Sequence, residues 1–187
     1  MRISPFQISD LSELITLYQT CFAEPPWYEL FQPEELVTYF TEIQALERSI
    51  FLVAEDQGQI VGCAIGFPIV KKPEVLELIS VPDAFYLAEL FVRADRRNQG
   101  LAKKLIEHRF ELARWAGFKR AYVRTSVDQT VIVNLYLRVY DFQLITSQAV
   151  TSRKVIDEVE KLIPDTRLIM GGQIPLPESV RRRDEWV

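Results

Sequence analysis

Arg97-Asn98-Gln99-Gly100-Leu101-Ala102, preceded by the apolar run Tyr86-Leu87-Ala88-Glu89-Leu90-Phe91-Val92, decides how this chain is read. Behind it, Leu105, Ile106, Phe110, Leu112, Ala113 and Ala116 recur at helical spacing. The order is strand, basic glycine-bearing turn, amphipathic helix. It sets backbone N–H groups and a helix N-terminus at the tip of a strand. Those first N–H groups have no partner inside the helix and the helix dipole favours negative charge, so the turn suits an anionic ligand. Gly100 lets the backbone approach a pyrophosphate with no side chain in the way. Taken alone, the hexamer fits a solvated surface loop equally well. It lacks the Gly-Lys-Ser/Thr ending of a nucleotide-triphosphate loop and the three glycines of a dinucleotide fingerprint.

Composition narrows the function classes. The 187 residues suit one domain with a real core, expected to occupy residues 1–187 with the fold core at about 2–174 and a charged tail at 175–187. A net charge of -4 with scattered basic residues argues against a nucleic-acid partner; the basic run Arg181-Arg182-Arg183 is diluted by acidic neighbours. No apolar run approaches membrane-spanning length and the N-terminus does not open a secretory signal, so a cytoplasmic protein without membrane contact is expected. Cys21 and Cys63 read as free, buried thiols. His108 has no partner at ligand spacing, so no metal site is expected.

Along the chain, Arg2 to Ile8 reads as an edge strand. Ser9-Asp10 offers a cap for a helix carrying Leu11, Leu14, Ile15, Leu17, Tyr18 and Phe22. Glu24-Pro25-Pro26-Trp27-Tyr28 breaks that helix, and Pro33-Glu34-Glu35 opens a second. Ser49–Glu55 and Gln59–Val70 form a hairpin around Asp56-Gln57-Gly58. Pro73 to Pro82 reads as a looser connection, then a strand at about Ala84–Val92, the turn, and a helix from about Leu101 to Ala116 stopped by Gly117. Lys119–Thr125 is a fifth strand and Val131–Val139 a short helix. Phe142–Val150 and Arg167–Ile174 are the last strands, flanking a charged, partly helical insert around Val155–Ile163.

The segment from Val92 to Ala102 closely resembles the acetyl-CoA motif of the GNAT N-acetyltransferase superfamily, whose core is Arg/Gln-x-x-Gly-x-Gly/Ala entered from a strand ending in Val. Ala94 stands where many members have Pro. The order of elements over about residues 2–174 resembles that fold as well. The resemblance implies an α+β fold: a mixed, mostly antiparallel central sheet flanked by helices, with a splayed central strand pair. It also implies acetyl-CoA as cosubstrate, held by the loop Arg97, Asn98, Gln99, Gly100, Leu101, Ala102 and Lys103. Backbone atoms of Leu90, Phe91 and Val92 would contact the pantetheine arm. Arg96, Arg97, Lys103 and Lys104 would steer the coenzyme.

Acetyl transfer from a thioester to an amine needs a base for the amine, donors for the tetrahedral oxyanion and an acid for the thiolate. Glu89 is the base candidate, a carboxylate in an otherwise apolar strand whose partial burial raises its pKa. The alternative is a structural Glu, exposed or paired with Arg124 on the neighbouring strand. The resemblance implies a Tyr as acid on the helix after the fifth strand. Leu135-Tyr136 lies at nearly the expected distance, with Thr130 where the family has Asn and one extra residue before Asp141-Phe142. The rival register uses Asn134 and Tyr140. Both tyrosines are also compatible with plain half-buried packing. By resemblance, the acceptor site would come from Pro25–Phe31 and Pro73–Phe85. Trp27, Tyr28 and Phe31 would wall it, with Glu24 and Glu29 facing a cationic amine.

The reading is thus an N-acetyltransferase moving acetyl by direct attack onto a primary amine of a small molecule or peptide. A longer acyl group and a catalytically idle acyl-CoA-binding module are the alternatives. A homodimer is possible.

Overall fold

The structure, a computed structural model, describes residues 1–176; most of the charged tail, with Arg181-Arg182-Arg183, lies outside the described residues. The chain runs β1 (Arg2–Pro5), α1 (Leu11–Ala23), α2 (Pro33–Ala45), β2 (Ile50–Asp56), β3 (Gln59–Pro68), α3 (Pro73–Ile79), β4 (Phe85–Val92), α4 (Leu101–Trp115), β5 (Arg120–Ser126), α5 (Thr130–Asn134), β6 (Gln143–Ile156) and β7 (Val159–Gln173). The strands form one seven-stranded sheet in the order β1-β2-β3-β4-β5-β7-β6. Every pairing is antiparallel except β4 with β5.

The helices sit where apolar spacing and end signals agree. α1 buries Leu14, Ile15, Leu17, Tyr18 and Cys21. α2 opens with Pro33 and a reciprocal cap in which the Gln32 N–H donates to Glu35 Oε2 at 3.3 Å; it buries Leu36, Phe40 and Ile43. These two helices cover one face of the sheet. α4 covers the other, through Leu101, Leu105, Ile106, Phe110 and Ala113. It ends at Gly117 (φ 90), where Gly117 N–H bonds to the Arg114 carbonyl and Phe118 N–H to that of Ala113, closing the last turn in the Schellman pattern.

Two irregularities shape the middle of the sheet. In the β3–β4 ladder Ile65 faces Glu89 but Gly66 faces Leu87, so Ala88 is an extra residue in a β-bulge. The bulge turns both Ala88 and Glu89 toward the face covered by α1 and α2. At Gly66 it also demands close approach: an added Cβ would lie 2.3 Å from Phe85 Cε1. The second irregularity is the splay. β4 and β5 pair only over Phe85–Leu87 with Ala121–Val123, although both strands run on.

Four local expectations are corrected. β1 stops at Pro5, and Ile8–Asp10 forms a 3₁₀ turn that leads into α1. There Asp10 caps backward, its Oδ2 accepting from the Gln7 N–H at 2.8 Å. The Pro73–Pro82 connection contains helix α3, with Pro73 and Glu74 in its first turn. The insert at 155–163 is not helical; it is the tip of the long β6–β7 hairpin, turning at Asp157 (φ 54) and Glu158 (φ 61). That tip folds back on the α1–α2 connection, where Val155 N–H donates to the Tyr28 carbonyl and Lys154 Nζ to that of Pro26, both at 2.6 Å. The segment after β5 is α-helical only to Asn134, and Leu135–Val139 continues as a π-turn. A π-turn holds one more residue than an α-turn, which accommodates the extra residue before Asp141-Phe142.

Candidate active site

A cleft of about 630 Å³ opens where β4 and β5 part. It runs from the turn between β4 and α4, past the bulge, to the α1–α2 connection and β7.

At the first end, the turn is built from backbone. Asn98 (φ 60) and Gly100 (φ 77) are both left-handed, and the Gly100 Cβ position faces open space, so this glycine answers to its φ and to access. Among the described residues, no hydrogen-bond partner is present for the N–H groups of residues 98–103. Lys104 N–H is the first to bond, to the Gly100 carbonyl at 3.1 Å. The N-terminus of the 15-residue helix α4 thus presents a run of free donors at the cleft mouth. Of the four nearby cations, three are paired within the protein, and among the described residues Lys104 has no ion pair. Arg96 pairs with Asp56 and Asp95 (3.1 and 2.6 Å), Arg97 with Glu24 (2.6 Å), and Lys103 weakly with Glu107 (3.7 Å). Glu24 is therefore tied to the turn instead of facing an acceptor amine.

Of the three β4 backbone positions singled out by sequence, Leu90 and Val92 turn their peptides toward the splay and Phe91 turns its toward β3. This parity follows from the bond of Arg93 N–H to the Val61 carbonyl (2.9 Å) in an antiparallel ladder. The Val92 carbonyl is already engaged, by Arg97 Nε at 2.9 Å and the Cys21 thiol at 3.6 Å.

At the bulge, Glu89 is partly open to the cleft while its carboxylate is enclosed by protein. Desolvation raises its pKa to about 7, against the opposing hydrogen bond from the Tyr39 hydroxyl to Oε1 at 2.7 Å. No ion pair joins it to Arg124; that side chain donates from Nε to Gln148 Oε1 at 3.0 Å. Across the splay, Tyr136 is buried and lines the cleft, whereas Tyr140 does not line it and packs edge-on against Phe110 at 5.1 Å. Arg109 links these parts from α4. It is 1% exposed, and donates through Nη1 to the carbonyls of Ile65 (2.7 Å) and Glu89 (2.8 Å) and through Nη2 to the Tyr136 hydroxyl oxygen (2.9 Å). Burial raises the Tyr136 pKa, and the Arg109 cation works against that rise.

The far end is walled by Trp27, Glu29, Lys72, Arg124 and Arg167. Arg167 lies over the Trp27 ring at 5.0 Å and pairs with Asp165 at 3.0 Å and with Glu29 at 3.7 Å. Burial raises the Glu29 pKa, opposed by Arg167 and Lys154. Tyr28 and Phe31 are not in this wall; Phe31 packs edge-on against Tyr18 at 5.1 Å. No residue of the second expected segment, Pro73–Phe85, lines the cleft; only its flanks do, Lys72 just before α3 and Tyr86 of β4. Among the described residues, no three His, Cys, Asp or Glu side chains cluster to hold a metal ion, and no helix is long and apolar enough to cross a membrane.

Sequence reasoning missed Tyr39 and Arg109. Tyr39 looked like one more apolar-face residue of α2, and nothing local ties it to position 89. Arg109 did carry a signal: it falls among Leu105, Ile106, Phe110 and Ala113, on the buried stripe of α4.

A sheet with this splay, bulge and amide-lined turn is the class of an acyl-coenzyme A transferase fold. The model of the Acetyltransferase (GNAT) family matches residues 11–142, and the chain belongs to that family. Among curated proteins, the Mus musculus protein named "Probable N-acetyltransferase family 8 member 5" is 34% identical over 86 residues, 46% of this chain. That match spans only about a third of the relative's length (35%). Among solved structures, the Brucella melitensis ribosomal-protein-alanine N-acetyltransferase shares 18% identity with a TM-score of 0.72, over 92% of this chain and 99% of that one. A Salmonella typhimurium protein solved with its cofactor acetyl-CoA shares 14% identity with a TM-score of 0.68, over 95% of each chain. At these identities the structural likeness speaks for the fold.

Proposed function

We propose that the protein is an acetyl-CoA-dependent N-acetyltransferase that acts by direct attack of a primary amine. The observation that carries this reading is the run of unpartnered N–H groups at residues 98–103, opening onto a cleft that also holds Glu89 and Tyr136. Acetyl-CoA would supply an activated acetyl thioester. The amides of residues 98–103 and the α4 N-terminus would bind its pyrophosphate, a role for backbone because the local arginines already have partners. The Leu90 peptide and the free N–H of Val92, turned toward the splay, would hold the pantetheine arm in the manner of an added strand.

Glu89 would take the proton from the acceptor ammonium. Its pKa of about 7 suits that exchange near neutrality, and the Tyr39 hydroxyl fixes which oxygen stays free. The attacking nitrogen would form the new C–N bond, the C–S bond would break, the Tyr136 hydroxyl would deliver a proton to the departing thiolate, and the second proton shed by nitrogen would restore that hydroxyl. Arg109 donates to the Tyr136 oxygen, so the phenolic hydrogen is left for the sulfur and the cation offsets the charge that develops on oxygen.

A thermal-shift titration with acetyl-CoA, CoA and a longer acyl-CoA, followed by thiol release over an amine panel, tests the reading. Saturation at about 100 times the dissociation constant should stabilise the protein by about 2.7 kcal/mol, with thiol released on some amine. A shift without release on any amine would favour the idle binding module. No shift with any of the three would sink the assignment of the turn.

A further inference from the structure

The charges at the acceptor end of the cleft are unevenly matched. Arg167 has Asp165 and Glu29, at 3.0 and 3.7 Å. Lys72 has Glu74 at 2.5 Å. Arg124 meets only a neutral group, with its Nε given to Gln148 Oε1 at 3.0 Å. Among the described residues, neither of its Nη atoms has an acceptor and no carboxylate is within ion-pair reach. Glu74 feels the Arg124 charge, yet its own bond goes to Lys72.

Position reinforces the point. Arg124 is the first β5 residue past the last β4–β5 pair, Leu87 with Val123, so it stands where the splay opens. Tyr122, two residues earlier, belongs to the core under α1 and α2, so strand alternation places Arg124 on the face that Glu89 shares. Both line the same cleft, and neither is paired with the other. The half-buried site therefore holds one unmatched cation and one unmatched carboxylate. A partly desolvated cation without a counter-charge is costly, and a guanidinium offering both Nη groups suits a two-oxygen anion.

Resting on the transferase reading above, we infer that the acceptor is a small amino acid. Its carboxylate lies against the two Nη groups of Arg124 while its amine meets Glu89. The shape of the charge pattern, cation on β5 and base on β4, reads a zwitterion and disfavours amines that lack an acid group.

The test compares α-, β- and γ-amino acids with their matched amides and with the decarboxylated amines, by acetyl-CoA-dependent thiol release. In parallel, calorimetry with CoA present measures binding of N-acetylated amino acids and their amides, which needs no turnover. Some amino acid should exceed its amide by about 10–100-fold in kcat/KM, chiefly through KM, and its N-acetyl form should bind correspondingly better. Arg124→Gln should erase both preferences while the dissociation constant for CoA stays put, and Arg124→Lys should restore part of them. Amides that serve as well as acids, or an Arg124→Gln loss shared equally by both, would overturn the inference. If no amine is acetylated although CoA binds, the transferase reading fails. The binding arm then decides the inference: a carboxylate preference that depends on Arg124 keeps an amino-acid site, and its absence removes it.

Discussion

The two ends of the cleft are built on different principles. The proposed coenzyme end is made of consecutive residues, 98–103, whose N–H groups are left without partners by a turn with two left-handed residues and a helix start. The proposed acceptor end is made of side chains from the α1–α2 connection, the approach to α3, β5 and β7, elements far apart in sequence. The first end is specified by backbone shape and tolerates exchange of most side chains. The second depends on each side chain and on the pairing that leaves Arg124 and Glu89 unmatched. Between them lies the bulge, held by Arg109 through the carbonyls of Ile65 and Glu89.

The largest effects should come from the junction. Glu89→Gln should lower kcat/KM for the amine by about 10²–10⁴-fold, and Tyr136→Phe should lower kcat, with coenzyme affinity held in both. Steady-state kinetics over pH sharpen the point: activity in the wild type should rise with an inflection near 7, the Glu89 value, and that limb should vanish in Glu89→Gln. An Arg109→Met variant keeps bulk but strands two carbonyls and the Tyr136 oxygen. Chemical denaturation should show a loss of about 2–4 kcal/mol. A loss under 0.5 kcal/mol would mean that the bulge holds itself without Arg109.

The ends themselves give smaller, separable effects. Gly100→Glu puts a side chain at φ 77 and an anion at the helix start, so the dissociation constant for CoA should rise about 10-fold or more. Its melting temperature should fall by a few degrees from the φ strain alone, since the added Cβ meets open space. If CoA affinity is unchanged, the contrast between the two ends collapses. The last effect is on stability and depends on pH. Because the Glu89 pKa is raised in the folded state above its ordinary value of 4.5, its ionisation opposes folding increasingly as pH rises through 4.5 to 7. Glu89→Gln keeps an acceptor for Tyr39 without the charge, so it should be more stable than the wild type by about 1–3 kcal/mol at pH 8, and the gain should fade toward pH 4.5. Equal melting curves at both pH values would show that the carboxylate is better hydrated than its enclosure implies.

Legibility followed sequence distance. The turn from Arg97 to Ala102, the two-residue hairpin turn at Gln57-Gly58 and the end of α4 at Gly117 are local events, each signalled by a glycine that takes a positive φ. The inner parts of β6 and β7 were legible, but the outer half of their hairpin was missed because its turn, Asp157-Glu158, reaches the same conformation without glycine. Its outer strand β6 alternates in burial, but inward positions such as Gln148, Ser152 and Lys154 are polar and set no hydrophobic period. The short helix α3 hid behind its prolines. The extra residue before Phe142 was visible in sequence, but its absorption in the π-turn at Leu135–Val139 depends on Tyr136 being drawn into the core beside Arg109.

By itself the sequence determined the α+β layout, the faces of α1, α2 and α4, and the glycine-bearing turn before α4, because each rests on periodicity or on neighbours within a few residues. Tertiary structure alone decided which way Glu89 points. Strict alternation from Tyr86 would send it to the α4 face, and one bulged residue sends it to Tyr39 instead. It also decided that Arg124 would stand without a counter-charge while Arg167 and Lys72 found theirs, since ion pairing between distant segments is a property of their packing and not of their order.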